Sequence, residues 1–591
     1  MQKVAPEFTL PRTSEATLDG PTLSPPGFGR GAEAPLAGLP ERAPGLVAAG
    51  GLLRQVRYFT ARLTDAQLAL AISAVLFAIS AWPLVLTEVP PYQDLPNHLA
   101  AVTIIQHPAQ YPDFVFNGFL KTNAALFTWL FFVGKIVGVK VAARLFSLLV
   151  LAMNALVMPR FVLALTESRK KLVVASLFLW PMIHNWFVLM GMLDFALGIP
   201  LGMITIVLLN RQRRAPSLEN GALIAVAAIA TWYAHVFVLM VVGLLALIQV
   251  AAPASGVTLR ARLAQAKALI LPLVPATLLI LVSVYQHVTE PAGAMTGFVD
   301  TGKLLPVWEL VYNLFAEWFY GFTWLSIGSL VACLALGLIG LARRKKSVPF
   351  FSPYALAILG ALYVLVPYIT TNWFHVNSRF IPFIWMALLL RVPDRLPKAL
   401  AGALCVAAVT YSAGMGVDFV RLDRDRAKFT AGIPSVPEGS KLLPLIFTRK
   451  LTSENTRSLQ HAWGFYVVEK ETSAPLLFAH SRSFPLTYKE APEPQFNHLV
   501  LEGFAPSMGT STWMCDVLRS GGIFVKNCEA AWRERWADFW AQAIPEYDHV
   551  LMWDPTPEAT ALVPDAYRTV FQQDRLTVYE RVDGAQAAAR E

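Results

Sequence analysis

Residues 221–251 read GALIAVAAIATWYAHVFVLMVVGLLALIQVA, without a single Asp, Glu, Lys or Arg. The run is longer than the roughly 20 apolar residues that span a bilayer once. A basic cluster stands at each end: Arg211 with Arg213 and Arg214 before it, Arg260 with Arg262 and Lys267 after it. Cytoplasmic loops carry the excess of Lys and Arg, so both ends belong on the same side of the membrane. The stretch is therefore expected to go out and come back as two short helices meeting near Trp232, Tyr233 and His235, rather than to cross as one long helix.

Working outward, further apolar runs cover 67–88, 141–164, 172–188, 190–209, 267–286, 323–341, 352–371, 379–391 and 398–415. The chain is 55% hydrophobic and 15% charged, against roughly 25% charged in a soluble chain, which excludes a soluble globular protein. It reads as a polytopic α-helical membrane protein. The net charge of +9, 49 Lys and Arg against 40 Asp and Glu, belongs to inner loops and not to a nucleic-acid surface. Arg54, Arg57 and Arg62 put the start of the first run inside, and Arg169-Lys170-Lys171, Arg343-Arg344-Lys345-Lys346 and Arg391 with Arg395 and Lys398 mark later inner loops. This holds only if 119–138, interrupted by Lys121 and Lys135, lies along the outer interface. The expectation is about eleven crossings, an internal N-terminus and an external C-terminal domain.

Three regions follow. Residues 1–60, rich in Pro, Gly and Ala, read as a disordered cytoplasmic tail without a cleavable signal, so the first membrane helix would be the targeting signal. Residues 61–417 form the transmembrane domain, with outer juxtamembrane helices at about 96–138 and 300–322. Residues 418–591 read as an extracytoplasmic α/β domain, with β-like runs at 442–447, 463–468, 475–479, 549–553 and 576–581 and a helical stretch at 530–543. Four cysteines without a CxxC pattern exclude a disulfide scaffold and give no support to redox or zinc chemistry; Cys515 and Cys528 could pair or remain buried thiols.

With this topology the unusual polar residues gather on the outer side. Asp94, just before Leu95-Pro96-Asn97-His98, would start a helix running to about Ile105, where a carboxylate can cap the helix or act as a base. Asp113, Lys121, His184-Asn185-Trp186, Asp194, Tyr233, His235, His287, Glu290 and 372–379, including His375 and Arg379, share that side. Glu309 and Glu317 read as the wet face of an interfacial helix. A carboxylate can serve as general base on an acceptor hydroxyl or amine while Lys or Arg holds a phosphate leaving group. Asp94 fits the first role, and Arg379 with Lys121 the second; His98, Asp113, His184, Asp194, His235 and His375 are candidates to line the site. No Walker, GxSxG or HExxH pattern stands at a usable position.

Here the chain resembles the GT-C superfamily of membrane glycosyltransferases, most closely the branch of protein O-mannosyltransferases and the lipid A aminoarabinose transferase. Asp94 looks like the acid of their first outer loop, and Lys121-Thr122-Asn123-Ala124-Ala125-Leu126-Phe127-Thr128-Trp129-Leu130 like their juxtamembrane Lys segment without its prolines. Gly138-Val139-Lys140-Val141-Ala142-Ala143-Arg144-Leu145-Phe146-Ser147 looks like their entry to the second helix, and Arg379-Phe380-Ile381-Pro382 like a late one. The resemblance implies a GT-C-like fold, an inverting transferase, a polyprenyl-phosphate-linked sugar donor, and a protein, lipid or polysaccharide acceptor, with a divalent metal allowed but not required. The rival readings are a transporter or flippase for a lipid-linked or anionic solute, against which stands the absence of repeats, and a non-catalytic assembly subunit.

Overall fold

The computed structural model describes residues 62–251, 258–289, 302, 304–318, 323–343, 348–370, 373–448, 456–482 and 484–582. Among these, six helices are long and apolar enough to cross a bilayer: Asp65–Leu86, Val139–Thr166, Leu193–Arg214, Leu259–Tyr285, Trp324–Ala342 and Lys398–Ser435. Shorter apolar helices, Ala125–Val137, Leu218–Ala234, Val236–Ala251 and Pro353–Leu365, complete the bundle. Leu70, Val75, Val226, Leu278, Val331, Val406 and Val409 point outward from it. So much exposed aliphatic surface on helices with internally paired backbones suits lipid and not water. The chain is an integral membrane protein. The tail 1–60, the His287 side chain, Glu290, 319–322, 344–347 and Asn372 lie outside the described residues.

The stretch 221–251 does break at His235 (φ −164, ψ 117), giving helices Leu218–Ala234 and Val236–Ala251. The first runs back along Leu193–Arg214: Asn220 donates to Leu208 O at 3.0 Å, and Thr231 meets Thr205 at 3.2 Å. The second returns along the same helix, where Gly198 and Gly202 let His235, Val238 and Val242 approach closely. A break strands backbone groups, and Thr122 satisfies two of them: its hydroxyl donates to Trp232 O (2.8 Å) and accepts from Val236 N (2.9 Å).

Two other runs differ from the expectation of single crossing helices. Residues 172–188 fold as three short pieces, Arg169–Ser176, Trp180–Ile183 and Trp186–Leu189. Pro181 has no N–H to continue a helix, and the Asn185 side chain caps the last piece by accepting from Val188 N at 3.3 Å. Residues 379–391 hold only the nine-residue helix Ile381–Leu389 after a 3-10 turn, every residue of it buried. Both are apolar because they lie inside the protein.

The 33-residue helix Lys398–Thr430 leads into a four-stranded sheet. The strands of the molecule are β1 (Phe114–Phe116), β2 (Leu442–Ile446), β3 (Leu486–Tyr488), β4 (His549–Trp553), β5 (Tyr567–Gln573) and β6 (Leu576–Arg581). Order in the sheet is β2-β4-β6-β5, with β2 parallel to β4 and the rest antiparallel. The helix Cys528–Glu546 contains the helical stretch read at 530–543, and Cys528 is disulfide-bonded to Cys515 of helix Ser511–Ser520. Two β-like runs are corrected. Of 463–468, Trp463 is the N-cap and the rest lie in the helix Gly464–Lys470, and 475–479 form no strand. Phe465, Tyr466 and Val467 are buried together, and a short helix buried all round has the same apolar run as a buried strand.

The C-terminal part is tied to the first loop of the bundle. β1 pairs antiparallel with β3, and helix Gly464–Lys470 crosses helix Leu95–Gln106. At the crossing Gly464 faces the Pro96 carbonyl so closely that a Cβ would overlap it. Asn97 clamps the same seam, donating to Leu476 O at 2.9 Å and accepting from Phe478 N at 3.2 Å. Gly464→Ala is therefore expected to lower the melting temperature of the purified protein by several degrees. Gly503→Ala, where a Cβ meets nothing within 4 Å, should leave it unchanged or raise it slightly, since Ala favours a helix over Gly by about 1 kcal/mol. Equal melting temperatures for the two variants would contradict the close packing.

Candidate functional site

Asp94 sits at the N-cap position of helix Leu95–Gln106, yet its side chain makes no capping hydrogen bond. It is held by its backbone instead: Asp94 N donates to Met190 O at 2.9 Å and Gln93 N to Leu189 O at 3.0 Å. Gly191 makes this approach feasible, at φ +87 and with its Cβ position only 2.9 Å from both Asp94 N and Leu95 N. The carboxylate, 14% exposed, turns toward the C-terminal part, where His461 Nε2 lies 3.3 Å from Oδ1. The other ring nitrogen of His461 faces Glu502 Oε1 at 3.8 Å. Burial alone pushes the His461 imidazole down, but Glu502 and Asp94 outweigh it and hold its pKa above the ordinary value. Burial pushes Glu502 up, with His461 opposing.

Asp94 lines a cavity of about 210 Å³ at the seam between the bundle and the C-terminal part. Arg379, 8% exposed, lines the same cavity. Its Nη1 donates to His235 Nε2 at 2.5 Å and its Nη2 to Phe374 O at 3.3 Å, and its plane lies against Phe195 and Trp373 at 5.4 and 5.2 Å. Nε has no partner, and among the described residues no carboxylate lies within ion-pair distance of the guanidinium. An arginine anchoring a helix at the interface would reach water; this one is enclosed, and a buried cation without a counter-charge costs several kcal/mol.

Of the residues singled out in the sequence, Asp94, His98, Asp194, His235 and Arg379 line this cavity. Asp194 accepts from Leu126 N at 2.8 Å. Lys121 is not among the lining residues; its Nζ donates to Arg482 O at 2.7 Å, next to Thr122 and Asn123, which do line it. Asp113 is exposed, and its carbonyl accepts from Lys489 N. His184 is buried elsewhere, between Tyr92 OH and Ser80 O. His375 belongs to a separate cluster with Tyr368, Ser378 and Glu317. Glu317, read as part of a wet face, is 6% exposed and accepts from Tyr368 OH at 2.8 Å, because the following chain folds over it.

Sequence reading missed the C-terminal contributors: His461, His480, His498, Glu502 and Phe478. Phe478 is the hub of an edge-on ring cluster, 5.0 Å from His461, 5.4 Å from His498 and 6.0 Å from His98, while His480 and His498 stack at 4.9 Å. The only local signal was the density of histidines within 461–498, three of the ten in the chain. Among the described residues no group of three or more His, Cys, Asp or Glu is placed to hold a metal ion.

No family model matches this chain, and no curated protein matches it in sequence. Among solved structures it is similar to ArnT from Cupriavidus metallidurans bound to undecaprenyl phosphate, at 11% identity and a TM-score of 0.49, over 87% of this chain and 98% of that one. The apo state of the same protein gives 12% and 0.48, over 87% and 97%.

Burial pushes His98 and His480 down to about 4, and His498 well below its ordinary value. An imidazole kept neutral in the fold takes up protons more readily once unfolded. Its contribution is present above about 6.5, the unfolded value, and is lost as pH falls through the folded one. Thermal stability is expected to fall between pH 6.5 and 4, and less steeply in His480→Gln; parallel pH profiles for the two proteins would contradict this.

Proposed function

We propose that the chain is a membrane glycosyltransferase that moves a sugar from a polyprenyl-phosphate-linked donor to an acceptor hydroxyl or amine at the outer face of the membrane, with the N-terminus cytoplasmic. The reading is carried by Arg379, a buried guanidinium without a carboxylate partner among the described residues, in the same cavity as Asp94. Such a cation favours an anionic ligand group, and a phosphate accepts from a guanidinium in bidentate fashion. Asp94 is not engaged in capping and lines the cavity, where a carboxylate can serve as general base. Between them the walls are aromatic: Phe127, Phe195, Trp373, Phe374 and Phe478 suit the apolar faces of a sugar and the first units of a lipid tail.

On this reading Asp94 removes the proton of the acceptor, whose oxygen or nitrogen attacks the anomeric carbon. The bond to the phosphate oxygen breaks, and the electron pair stays on a phosphate held by Arg379. One base on the face opposite the leaving group gives inversion, as the resemblance to GT-C transferases implies. The residues from 418 onward would serve as an extracytoplasmic domain presenting the acceptor, with Lys121 at the edge of the site.

The test is transfer of radiolabelled sugar from a panel of polyprenyl-phosphate-linked hexoses and pentoses to endogenous acceptors in membranes containing the protein. Asp94→Asn is expected to lower kcat by about 10²- to 10⁴-fold at unchanged expression, the usual contribution of a general base. Arg379→Gln should raise the donor concentration needed for half-saturation and lower kcat. Donor that crosses the bilayer with its sugar–phosphate bond intact would point to a transporter and sink the proposal.

A further inference from the structure

The base proposed above lies in the first loop of the bundle, but its nearest titratable partner comes from the other end of the chain. His461 is 2% exposed, with Asp94 Oδ1 at 3.3 Å from Nε2 and Glu502 Oε1 at 3.8 Å from Nδ1. Neither Nδ1 nor Glu502 Oε1 has another hydrogen-bond partner, so two buried orphan atoms face each other. Glu502 Oε2 is held separately by Gln460 Nε2, which fixes the carboxylate in place. Glu502 also opens onto a second cavity, of about 80 Å³, whose lining includes Arg457 and Asp425, whereas Asp94 opens onto the first.

We propose that His461, backed by Glu502, is the positioning residue of Asp94. As an imidazolium it donates Nε2–H to Oδ1, which leaves the second carboxylate oxygen to take the acceptor proton. Glu502 supplies the charge that keeps the imidazolium in place when Asp94 becomes neutral. In the step itself the acceptor O–H or N–H proton moves to the second Asp94 oxygen, the acceptor bonds to the anomeric carbon, and the leaving phosphate keeps the electron pair of the broken bond. The Nε2 proton stays on His461. The carbon-centred chemistry thus lies in the bundle, while the orientation of the base is set by the C-terminal part. This rests on the transferase reading.

The groups around His461 are Asp94 from the first loop, Glu502 from helix His498–Met508 with Arg457 beyond it, and His98 and His498 across Phe478. The two carboxylates hold the imidazole above its ordinary value, while His98 and His498 stay neutral at neutral pH. A raised histidine is charged below its folded value and loses its proton as pH rises through it, so the device fails on the alkaline side.

Two measurements on the full chain in lipid nanodiscs test this. The first is the titration of His461 by NMR of ¹⁵N-histidine-labelled protein, the resonance being assigned by its loss in His461→Gln. The midpoint is expected above about 6.5 in the wild type and lower by about one pH unit or more in Glu502→Gln, the size of shift an opposite charge nearby produces. A wild-type midpoint at or below the ordinary value, or one that Glu502→Gln does not move, overturns the proposal whatever the transfer assay shows.

The second is the pH profile of sugar transfer with the donor the wild type uses. Glu502→Gln should move its alkaline limb to lower pH by a similar amount with the donor KM unchanged. His461→Gln, which keeps a neutral donor, should retain a reduced kcat and lose that limb, and His461→Phe should fall at least a further tenfold. An active wild type whose profile is unchanged in Glu502→Gln overturns the positioning role alone. A wild type inert with every donor sinks the transferase reading, and with it the role given to His461.

Discussion

Two helices meet at backbone distance where Gly464 faces the Pro96 carbonyl, and the geometry of the cavity depends on that contact. Asp94 lies two residues before Pro96 and His461 three before Gly464, so closing one contact sets the two side chains opposite each other. A residue with a Cβ at 464 would hold the helices apart, and Asn97 could not reach Leu476 and Phe478 at once. The seam is further pinned by the pairing of β1 with β3, which joins the same two parts of the chain. A partly buried carboxylate is tolerable only with a partner that pays for its lost hydration. Close docking is what supplies one.

The part of the cavity lined by Arg379 is built by a different device. His235 can accept from Arg379 because the helix is broken at that residue, which turns the imidazole off the bundle axis. The break in turn needs Thr122, whose hydroxyl bridges the two stranded backbone groups. The loop that delivers Asp94 and the loop that repairs the helix break are neighbouring parts of one connection, residues 88–124. Displacing that connection would disturb both parts of the cavity together.

Much of the bundle was legible because lipid imposes a simple rule: backbone must be paired within helices, and long apolar runs bounded by basic clusters follow. The turn at His235 came from charge symmetry alone. The same rule misled at 172–188 and 379–391, where burial in protein produces the apolarity that burial in lipid does. Within the cavity, Asp94 and Arg379 stood out because ionisable groups at a membrane boundary are costly. His461, Glu502 and His498 carry no such mark. They lie more than 360 residues from Asp94, in a part of the chain without long apolar runs to make an ionisable group stand out, and only tertiary packing brings them to the seam. Glu317 failed in the opposite sense: an amphipathic pattern from Val307 onward reads as a wet face, but the helix ends at Ala316 and the 375–378 turn covers Glu317, its C-cap.

Charges of both signs meet at the cavity. On the seam side two carboxylates, Asp94 and Glu502, flank one imidazole; on the bundle side a guanidinium faces only a histidine and a carbonyl. The cavity thus holds an enclosed cation, Arg379, and the carboxylates of Asp94 and Asp194, among aromatic side chains that contribute little charge of their own. Charged groups in such a low-dielectric cavity act on a ligand before any specific contact forms. On the proposed reading a phosphate is drawn toward Arg379 and a hydroxyl or amine gives its proton to Asp94. The two groups then sort donor from acceptor, and they stabilise the transition state, in which negative charge grows on the phosphate as the acceptor proton moves to the carboxylate. The seam therefore does more than hold two parts of the chain together, because separating them would leave Asp94 without His461.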